Sequence, residues 1–373
     1  LDFDDLERSA RTVAEFSRHH PIQAVVGLDD STTVVAACIA RKLSLPANSV
    51  ESVQASRNKR LMRERLRAAR VPIPDFRVCP LEDDPTRLGS GITYPCVLKP
   101  TMLAASQGVI RADDETSFVQ AWTRIARIIQ TQEAVPEILV ESFIPGQEVA
   151  LEGLFEDGQL RVLALFDKPD PLNGPFFEET IYVRPSRLPQ EVQQQVVDCA
   201  DHATTALGLT MGPVHAELRV NQQGPWVIEV AARPIGGRCS RAIRFDLGIS
   251  LEELILRQAL GMDTRALQPD PTPSGVMMIP IPRAGVLQEV SGIETAKAIP
   301  GVEDVLLTTH VGQPLVPLPE GSRYLGFIFA RANTPELVEQ ALREAHHCLK
   351  FTIEPLSQEA SLPVSQDCHS SSL

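Results

Sequence analysis

The sequence predicts an α/β (α+β) protein with a doubly wound N-terminal segment, a region of hairpins and a small closing segment. Three observations indicate this class. An apolar run at 22–28, IQAVVGL, precedes a helical pattern. Alternating strand patterns and isolated helices then occupy 94–231, and strand and helix patterns alternate again over 272–350.

Composition limits the classes of function. The 373 residues are 43% hydrophobic and 22% charged, which is typical of a globular protein with two or three domains. The net charge of −13 argues against a nucleic-acid or anionic-membrane surface, and no apolar run is long enough to span a membrane. The seven cysteines show no C-x-x-C spacing, so we expect no zinc site and a reduced, cytoplasmic location.

The N-terminal domain is predicted at 1–72. Its strand at 22–28 leads into a helix at 32–43, and a basic helix follows at 54–70. The strand and helix expected before this unit are missing, and the first residue is Leu1, so we expect a truncated or processed N-terminus.

The second domain is predicted at 73–265. The hairpin at 147–168 turns at Asp157-Gly158, and the proline-rich stretch 168–189 is a long loop of the kind that is functional or disordered. The other predicted elements are strands at 95–100 and 137–143 and helices at 114–132 and 190–207.

A closing α/β domain is predicted at 266–352, and a Ser-rich disordered tail at 353–373. The elements predicted in the closing domain are strands at 275–281, 302–309 and 324–332 and a helix at 334–349.

Two acids are predicted to face each other in a hairpin. If 221–225 is the connecting loop, Val220 pairs with Trp226 and Glu217 falls opposite Glu229. Like charges so placed repel by about 3–4 kcal/mol, which a shared divalent cation would offset. Two solvated acids on an exposed sheet face remain the alternative.

Three motifs then occur in a fixed order: YPCVLKP with a small-residue loop at 94–108, LVESFIPGQE at 139–148, and HAELR followed by VIEVAARP at 215–234. This order resembles the ATP-grasp superfamily of carboxylate–amine ligases. The ending EVAARPIGG is most similar to the L-amino-acid ligase and carnosine synthase group. The resemblance covers about 22–350 and implies an ATP-grasp fold.

The resemblance implies a nucleotide site. Lys59 and Lys99 match the two lysines that bind phosphates, a role that suits a flexible ammonium. The loop TMLAASQGV matches the mobile phosphate loop, although it has fewer glycines than those of biotin carboxylases and D-alanine–D-alanine ligases. Alone, Lys59 could be one of several basic residues on a helix, and the loop a plain turn. Further nucleotide-binding residues implied are Ser106, Gly108, Val140, Glu141, Phe143 and Glu148.

The resemblance also implies that Glu217 and Glu229 bind Mg²⁺, with Mn²⁺ as an alternative ion. Ala231 stands where the family often has a metal-binding Asn, which leaves one or two ions open. Arg233 and Lys99 are the implied catalytic residues, because they would stabilise the transferring phosphoryl group.

The substrate contacts expected from loop length and composition start with Glu178 and Glu179, which could bind an amino group. Phe176, Phe177 and Tyr182 could form a side-chain pocket. The other expected substrate residues are Lys168, Gly236, Gly237 and Arg238.

The arginine cluster and His215 each have two possible interpretations. Arg238, Arg241 and Arg244 could bind a substrate carboxylate or form the solvated stripe of a helix. His215, on the face of Glu217, could be catalytic or a structural residue with satisfied hydrogen bonds.

The predicted function is an ADP-forming ligase that joins a carboxylate to an amine through an acyl phosphate. The alternatives are a carboxylating enzyme of the biotin-carboxylase type and a non-catalytic ATP sensor. We expect ATP as cofactor, small-molecule carboxylate and amine substrates and no nucleic-acid or membrane partner, and we leave a homodimer open.

Overall fold

The computed structural model describes residues 1–355 except Asp4, Glu133 and Asp157. Most of the tail predicted at 353–373 therefore lies outside the described residues, while a strand continues through Glu354. Among the described residues, no helix combines the length and apolar content needed to cross a membrane.

The N-terminal segment is helical. Its helices are α1 (Leu6–Phe16), α2 (Thr33–Leu43), α3 (Val50–Arg57) and α4 (Lys59–Ala68). The helix predicted at 32–43 is confirmed as α2.

Three predictions for this segment are wrong. The helix that was expected to be missing before residues 22–28 is present as α1. Residues 22–28 form no strand, because no described strand runs beside them to supply the hydrogen bonds that a strand needs. The single helix expected at 54–70 is interrupted at Asn58, whose side chain accepts hydrogen bonds from the N–H groups of Arg60 and Leu61. This N-cap begins α4 and orients Lys59, the first residue of the helix.

The next part of the described chain forms a four-stranded sheet with two helices. Its elements are β1 (Phe76–Pro80), α5 (Pro85–Gly89), β2 (Cys96–Pro100), β3 (Ile110–Ala112), α6 (Glu115–Thr131) and β4 (Glu137–Ser142), with strand order β1-β4-β2-β3. Asp114 caps α6 in a capping box with Ser117, and Phe118 and Trp122 bury the apolar face of this helix. The strands predicted at 95–100 and 137–143 and the helix at 114–132 are confirmed.

The central hairpins belong to a larger sheet. Its first elements are β5 (Gln147–Glu156), β6 (Gln159–Asp167), β7 (Ile181–Arg184), α7 (Gln190–Leu207), β8 (Gly212–Asn221) and β9 (Gly224–Ala231). The β5–β6 hairpin and α7 confirm the predictions. The long loop expected at 168–189 is shorter, because β7 pairs with β6 within it.

The C-terminal segment extends the same sheet. Its elements are α8 (Leu251–Ala259), β10 (Ser274–Ile279), β11 (Gly285–Ser291), α9 (Ile293–Lys297), β12 (Val302–Leu307), β13 (Pro314–Leu315), β14 (Gly326–Arg331), α10 (Pro335–Cys348) and β15 (Lys350–Glu354). In the described chain the order of this large sheet is β12-β14-β10-β7-β6-β5-β8-β9, and β13-β11-β15 forms a separate small sheet. The predicted β10, β12, β14 and α10 are confirmed, while the domain boundaries remain predictions because β10 continues the sheet of β7.

Candidate active site

The hairpin of β8 and β9 places two acids opposite each other. Glu217 pairs directly with Glu229, as predicted. Nearer the turn the predicted register is wrong, since Val220 pairs with Pro225 and not with Trp226. A one-residue bulge in β9 restores the predicted pairing at the two acids.

The two acids line a cleft between the four-stranded sheet and the large sheet. Most of the predicted site residues share it: Lys59, Lys99, Ser106, Glu141, Phe143, Glu148, Glu179, Glu217, Glu229, Arg233, Gly236 and Gly237 line the cleft. The predicted residues that do not line it include Gly108, Val140, Lys168, Glu178 and Arg238.

Lys99 ends β2 and is paired with a buried acid. Its Nζ atom lies 2.7 Å from Oε2 of Glu141, and Arg63 of α4 donates to the other carboxylate oxygen. Burial alone would raise the pKa of Glu141, but the charges of Arg63 and Lys99 lower it to about 2. Both carboxylate oxygens of Glu141 therefore contact a cation and hold Lys99 in place, while the nucleotide-binding role of Glu141 stays a prediction.

Lys59 connects three parts of the site. Its Nζ donates to the carbonyl oxygen of Leu103 at 2.6 Å and lies 3.6 Å from Oε2 of Glu229. Its backbone N–H donates to Thr101 at 2.9 Å. Because Lys59 is the first residue of α4, the cap at Asn58 holds its ammonium between the phosphate loop and the acid pair.

The phosphate loop, defined as residues 101–109, has a strained backbone. Ala105 and Ser106 both have positive φ, 53° and 56°, which side chains other than glycine rarely adopt. The N–H of Gly108 donates to the carbonyl oxygen of Pro319 at 2.9 Å. Gly108 therefore supports the loop through this hydrogen bond, and its nucleotide-binding role stays a prediction.

Lys168 lies at the centre of three carboxylates. Its buried Nζ contacts Glu148 at 2.8 Å, Glu179 at 2.6 Å and Glu217 at 2.7 Å. Burial opposes the charged form, but the three acids raise the pKa of Lys168 above its usual value. These three carboxylates are close enough to share a cation, and in this structure the ammonium of Lys168 occupies that position.

Arg219 secures the segment at 143–148, which contains two of the predicted nucleotide-binding residues, Phe143 and Glu148. Its Nε donates to Glu148 at 2.9 Å and its Nη1 to the carbonyl oxygen of Ile144 at 2.8 Å. The guanidinium also lies over the rings of Phe143 and Phe177. The alternation of β8 places Arg219 on the face of Glu217, but only the tertiary contacts reveal this role.

The N-terminal segment reaches the site through Asp30. Its Oδ1 accepts from Nε of Arg233 at 2.9 Å, and Nη1 of Arg233 donates to Pro234 at 3.0 Å. Burial lowers the pKa of Arg233, but the charge of Asp30 outweighs it and raises that pKa. Sequence reasoning missed Asp30, which is 203 positions away from Arg233 in the chain.

His215 is paired with a second acid that the sequence did not single out. Its Nδ1 contacts the buried Glu152 of β5, its direct cross-strand neighbour, and its Nε2 lies 3.4 Å from Oε1 of Glu217. Burial lowers the pKa of His215, but Glu152 raises it to about 9. Glu152 was missed because it lies inside the apolar strand pattern of QEVALEGLFE.

The arginine cluster after the glycine pair does not face the cleft. Arg241 pairs with Asp304 at 3.0 Å and Arg244 with Glu303 at 2.9 Å. The segment is a short 3-10 turn, so the helical stripe is wrong too. Arg238, at the start of this turn, is exposed and lies outside the cleft.

An apolar wall faces Glu179. Phe177 and Tyr182 line the cleft as expected, whereas Phe176 does not. Met278 of β10 and Tyr324 also line it, and both come from the C-terminal segment. Sequence reasoning missed these two because it placed that segment in a separate domain.

The acid pair fits a divalent cation. Three donors of the described residues contact Oε1 of Glu217, namely Nζ of Lys168 at 2.7 Å, Oη of Tyr182 at 3.4 Å and Nε2 of His215 at 3.4 Å. The carboxyl group of Glu179 also hydrogen-bonds to Glu217. Glu229 has Lys59 as its ion-pair partner at 3.6 Å, and the two facing acids together offer carboxylate oxygens to an ion. An all-oxygen donor set of this kind suits Mg²⁺.

Comparison with known proteins agrees with this geometry. A family model described as an ATP-grasp domain matches residues 92–242, and one described as L-amino acid ligase C-terminal domain 2 matches 277–354. The crystal structure of an L-amino acid ligase from Bacillus licheniformis superimposes with a TM-score of 0.78 at 27% identity, covering 94% of this chain and 86% of that one.

Two curated relatives are ligases. Alanine–anticapsin ligase of Bacillus subtilis (strain 168) is 28% identical over 235 residues, 58% of this chain and 49% of the relative. Human carnosine synthase 1 is 27% identical over 249 residues, 62% of this chain and 30% of the relative. The chain thus spans about half, or less, of the length of these two relatives. The chain thus carries an ATP-grasp domain followed by an L-amino acid ligase C-terminal domain, the order that its resemblance to these ligases implies.

Proposed function

We propose that the chain is an ADP-forming ligase that joins the carboxylate of an amino acid to an amine. The observation that supports this most directly is the convergence of Glu217 and Glu229 with three basic groups on one cleft. The basic groups are Lys59, Lys99 and Arg233, which match the number and kind of charges that a bound triphosphate needs.

Each basic group has a part in the proposed reaction. Lys59 and Lys99 bind the phosphates of ATP, and Arg233 neutralises charge on the phosphoryl group in transfer. A divalent cation held by Glu217 and Glu229 would supply further neutralisation of phosphate charge. We propose at least one such ion, and Ala231 leaves a second ion short of a protein ligand.

The chemistry proceeds in two steps. A carboxylate oxygen of the substrate attacks the γ-phosphorus, the bond from that phosphorus to ADP breaks, and an acyl phosphate forms. The amine nitrogen then attacks the acyl carbon, phosphate leaves, and the nitrogen loses a proton to give the amide. The phosphate loop lines the cleft, and in the proposed reaction it would keep water from the acyl phosphate.

Glu179 is the proposed anchor for the substrate ammonium. It lines the cleft beside the apolar wall of Phe177 and Tyr182, and burial raises its pKa. Lys168 already donates to Oε1 of Glu179 at 2.6 Å, so the substrate ammonium would be a second cation on this carboxylate. We therefore propose an amino acid as the acid substrate, with small-molecule amines as acceptors.

The test is ADP release across paired amino acids, with the product identified by mass, for the wild type, Glu229→Gln and Glu156→Gln. We expect amide formation by the wild type and by Glu156→Gln, an acid on β5 that pairs with Arg161 away from the cleft. We expect at least a hundredfold loss in Glu229→Gln. Full activity of Glu229→Gln would contradict the metal assignment, and ATP binding without turnover of any pair would contradict the ligase.

A further inference from the structure

Glu152 is a buried acid with both oxygens engaged. It is 1% exposed, and among the described residues its ion-pair partner is His215. The other oxygen, Oε2, accepts the backbone N–H of Ile235 at 3.0 Å. A buried carboxylate is costly unless it is paired in this way, so its position on β5 calls for a specific role.

The contacts of Glu152 continue to the proposed metal ligand. His215 lies directly opposite Glu152 in the β5–β8 ladder, and its second nitrogen faces Oε1 of Glu217 at 3.4 Å. His215 is itself only 6% exposed, so its ring is held between two acids. Rotation of the Glu217 carboxylate away from its present orientation would leave one ring nitrogen of His215 without that partner.

The same acid holds the other side of the site. Ile235 follows Arg233 by two residues and precedes the glycine pair Gly236 and Gly237, all of which line the cleft. Through His215, this carboxylate therefore supports the orientation of Glu217, to which Lys168 also donates at 2.7 Å, and it directly holds the backbone that leads from Arg233 into the cleft wall.

We propose that Glu152 and His215 are a positioning pair that orients Glu217 so that its carboxylate is presented to a divalent cation. The proposal rests on the proposed function, because it takes Glu217 as a metal ligand. Residues that hold metal ligands through hydrogen bonds commonly change metal affinity 10–100-fold when they are replaced. Neither Glu152 nor His215 touches the ion in this proposal.

The test measures Mn²⁺ binding in the presence of ADP by electron paramagnetic resonance, without turnover. The variants are Glu152→Gln, His215→Gln, their double variant, and Glu156→Gln as the matched control on the same strand. We expect each single variant to weaken Mn²⁺ binding about tenfold or more. The double variant should be no weaker than the worse single variant, because the pair acts as a unit. The control should match the wild type.

A second measurement separates positioning from general damage. ADP binding without a divalent ion should be unchanged in all variants, since the pair contacts no nucleotide-binding residue assigned above. Unchanged Mn²⁺ affinity in folded His215→Gln, or an equal loss of metal-free ADP affinity, would overturn the proposal. If Glu152→Gln does not fold, the Mn²⁺ affinity of His215→Gln alone decides the test. The glutamine amide in that variant can still donate to Glu152. Absence of Mn²⁺ binding in the wild type would instead contradict the proposed function.

Discussion

Lys99 and Glu141 form a buried ion pair at the end of β2, with 2.7 Å between Nζ and Oε2. Arg63 binds the other oxygen of Glu141 and also donates to the carbonyl oxygen of Ile228 in β9 at 2.7 Å. The acid therefore joins a helix of the N-terminal segment, the four-stranded sheet and the large sheet. It fixes the ammonium of Lys99 where the proposed phosphates would lie.

Replacement of Glu141 by Gln should destabilise the protein by about 3–5 kcal/mol at pH 7, because Arg63 and Lys99 would keep buried charges without a counter-ion. Glu141 has a pKa of about 2 when folded against an ordinary 4.5. Its stabilisation is fully present above pH 4.5 and is lost as the pH falls towards 2, about 3 kcal/mol in all.

The measurement is the free energy of unfolding between pH 7 and pH 3 for the wild type and Glu141→Gln. The variant should lose less stability on acidification than the wild type. Glu253→Gln, which breaks an exposed pair with Arg257, is the control and should change stability by less than about 1 kcal/mol. Parallel pH curves for the wild type and Glu141→Gln would contradict this prediction.

The sequence was sufficient for contacts that depend on local geometry. Glu217 and Glu229 belong to one hairpin, so period-two alternation and loop length predict their pairing. The bulge in β9 was not foreseen, because no glycine or other residue marks it, and the pairing was correct only beyond it. Lys59 and Lys99 were placed by motif resemblance, and both line the cleft.

The sequence was insufficient for the partners of those residues. Asp30 with Arg233, and Arg63 with Glu141, join segments far apart in the chain, and no periodicity connects them. The strand expected at 22–28 failed for a related reason, since an apolar run becomes a strand only where a neighbouring strand accepts it.

The phosphate loop donates two hydrogen bonds to backbone carbonyl groups of the C-terminal segment. Nε2 of Gln107 donates to the carbonyl oxygen of Glu320 at 2.7 Å, beside the bond from Gly108 to Pro319. The side chain of Glu320 forms a two-point ion pair with Arg124 of α6, with Nη2 to Oε2 at 2.8 Å. The C-terminal segment and α6 are thus connected beside the phosphate loop.

Glu320→Ala should raise the KM for ATP severalfold. The variant loses the ion pair with Arg124, which fixes the backbone to which the phosphate loop donates its hydrogen bonds. The free energy of unfolding should change by less than about 1 kcal/mol, since the ion pair is exposed. Steady-state kinetics with ATP varied, together with denaturant unfolding, check both parts. Glu253→Gln serves again as the exposed control, and an unaltered KM in Glu320→Ala would argue against coupling to the loop.

Asp30 should matter for the rate and less for nucleotide binding. Asp30→Asn would weaken the hold on Arg233, so we expect kcat to fall about tenfold with little change in the KM for ATP. Arg233→Lys should cost about 10²–10³ in kcat, because Lys lacks the planar fork. Asp304→Asn, which removes the partner of Arg241 outside the cleft, should leave kcat unchanged. A rise in KM at constant kcat for Asp30→Asn would show that Asp30 acts on binding instead.

Strand β10 pairs with β7 in the large sheet and also packs against α10, and Gly275 allows both close contacts. A Cβ atom at this position would lie 2.7 Å from the carbonyl oxygen of Tyr182 and 2.8 Å from Cγ1 of Val338, so backbone and helix would have to move. Gly275→Ala should therefore destabilise the protein by about 2–3 kcal/mol. At Gly91 the nearest atom to a Cβ is 3.7 Å away, and Gly91→Ala should be neutral or stabilising by less than about 1 kcal/mol. Denaturant unfolding of both variants decides, and equal stabilities would mean that β10 is not packed as tightly between β7 and α10 as the fold requires.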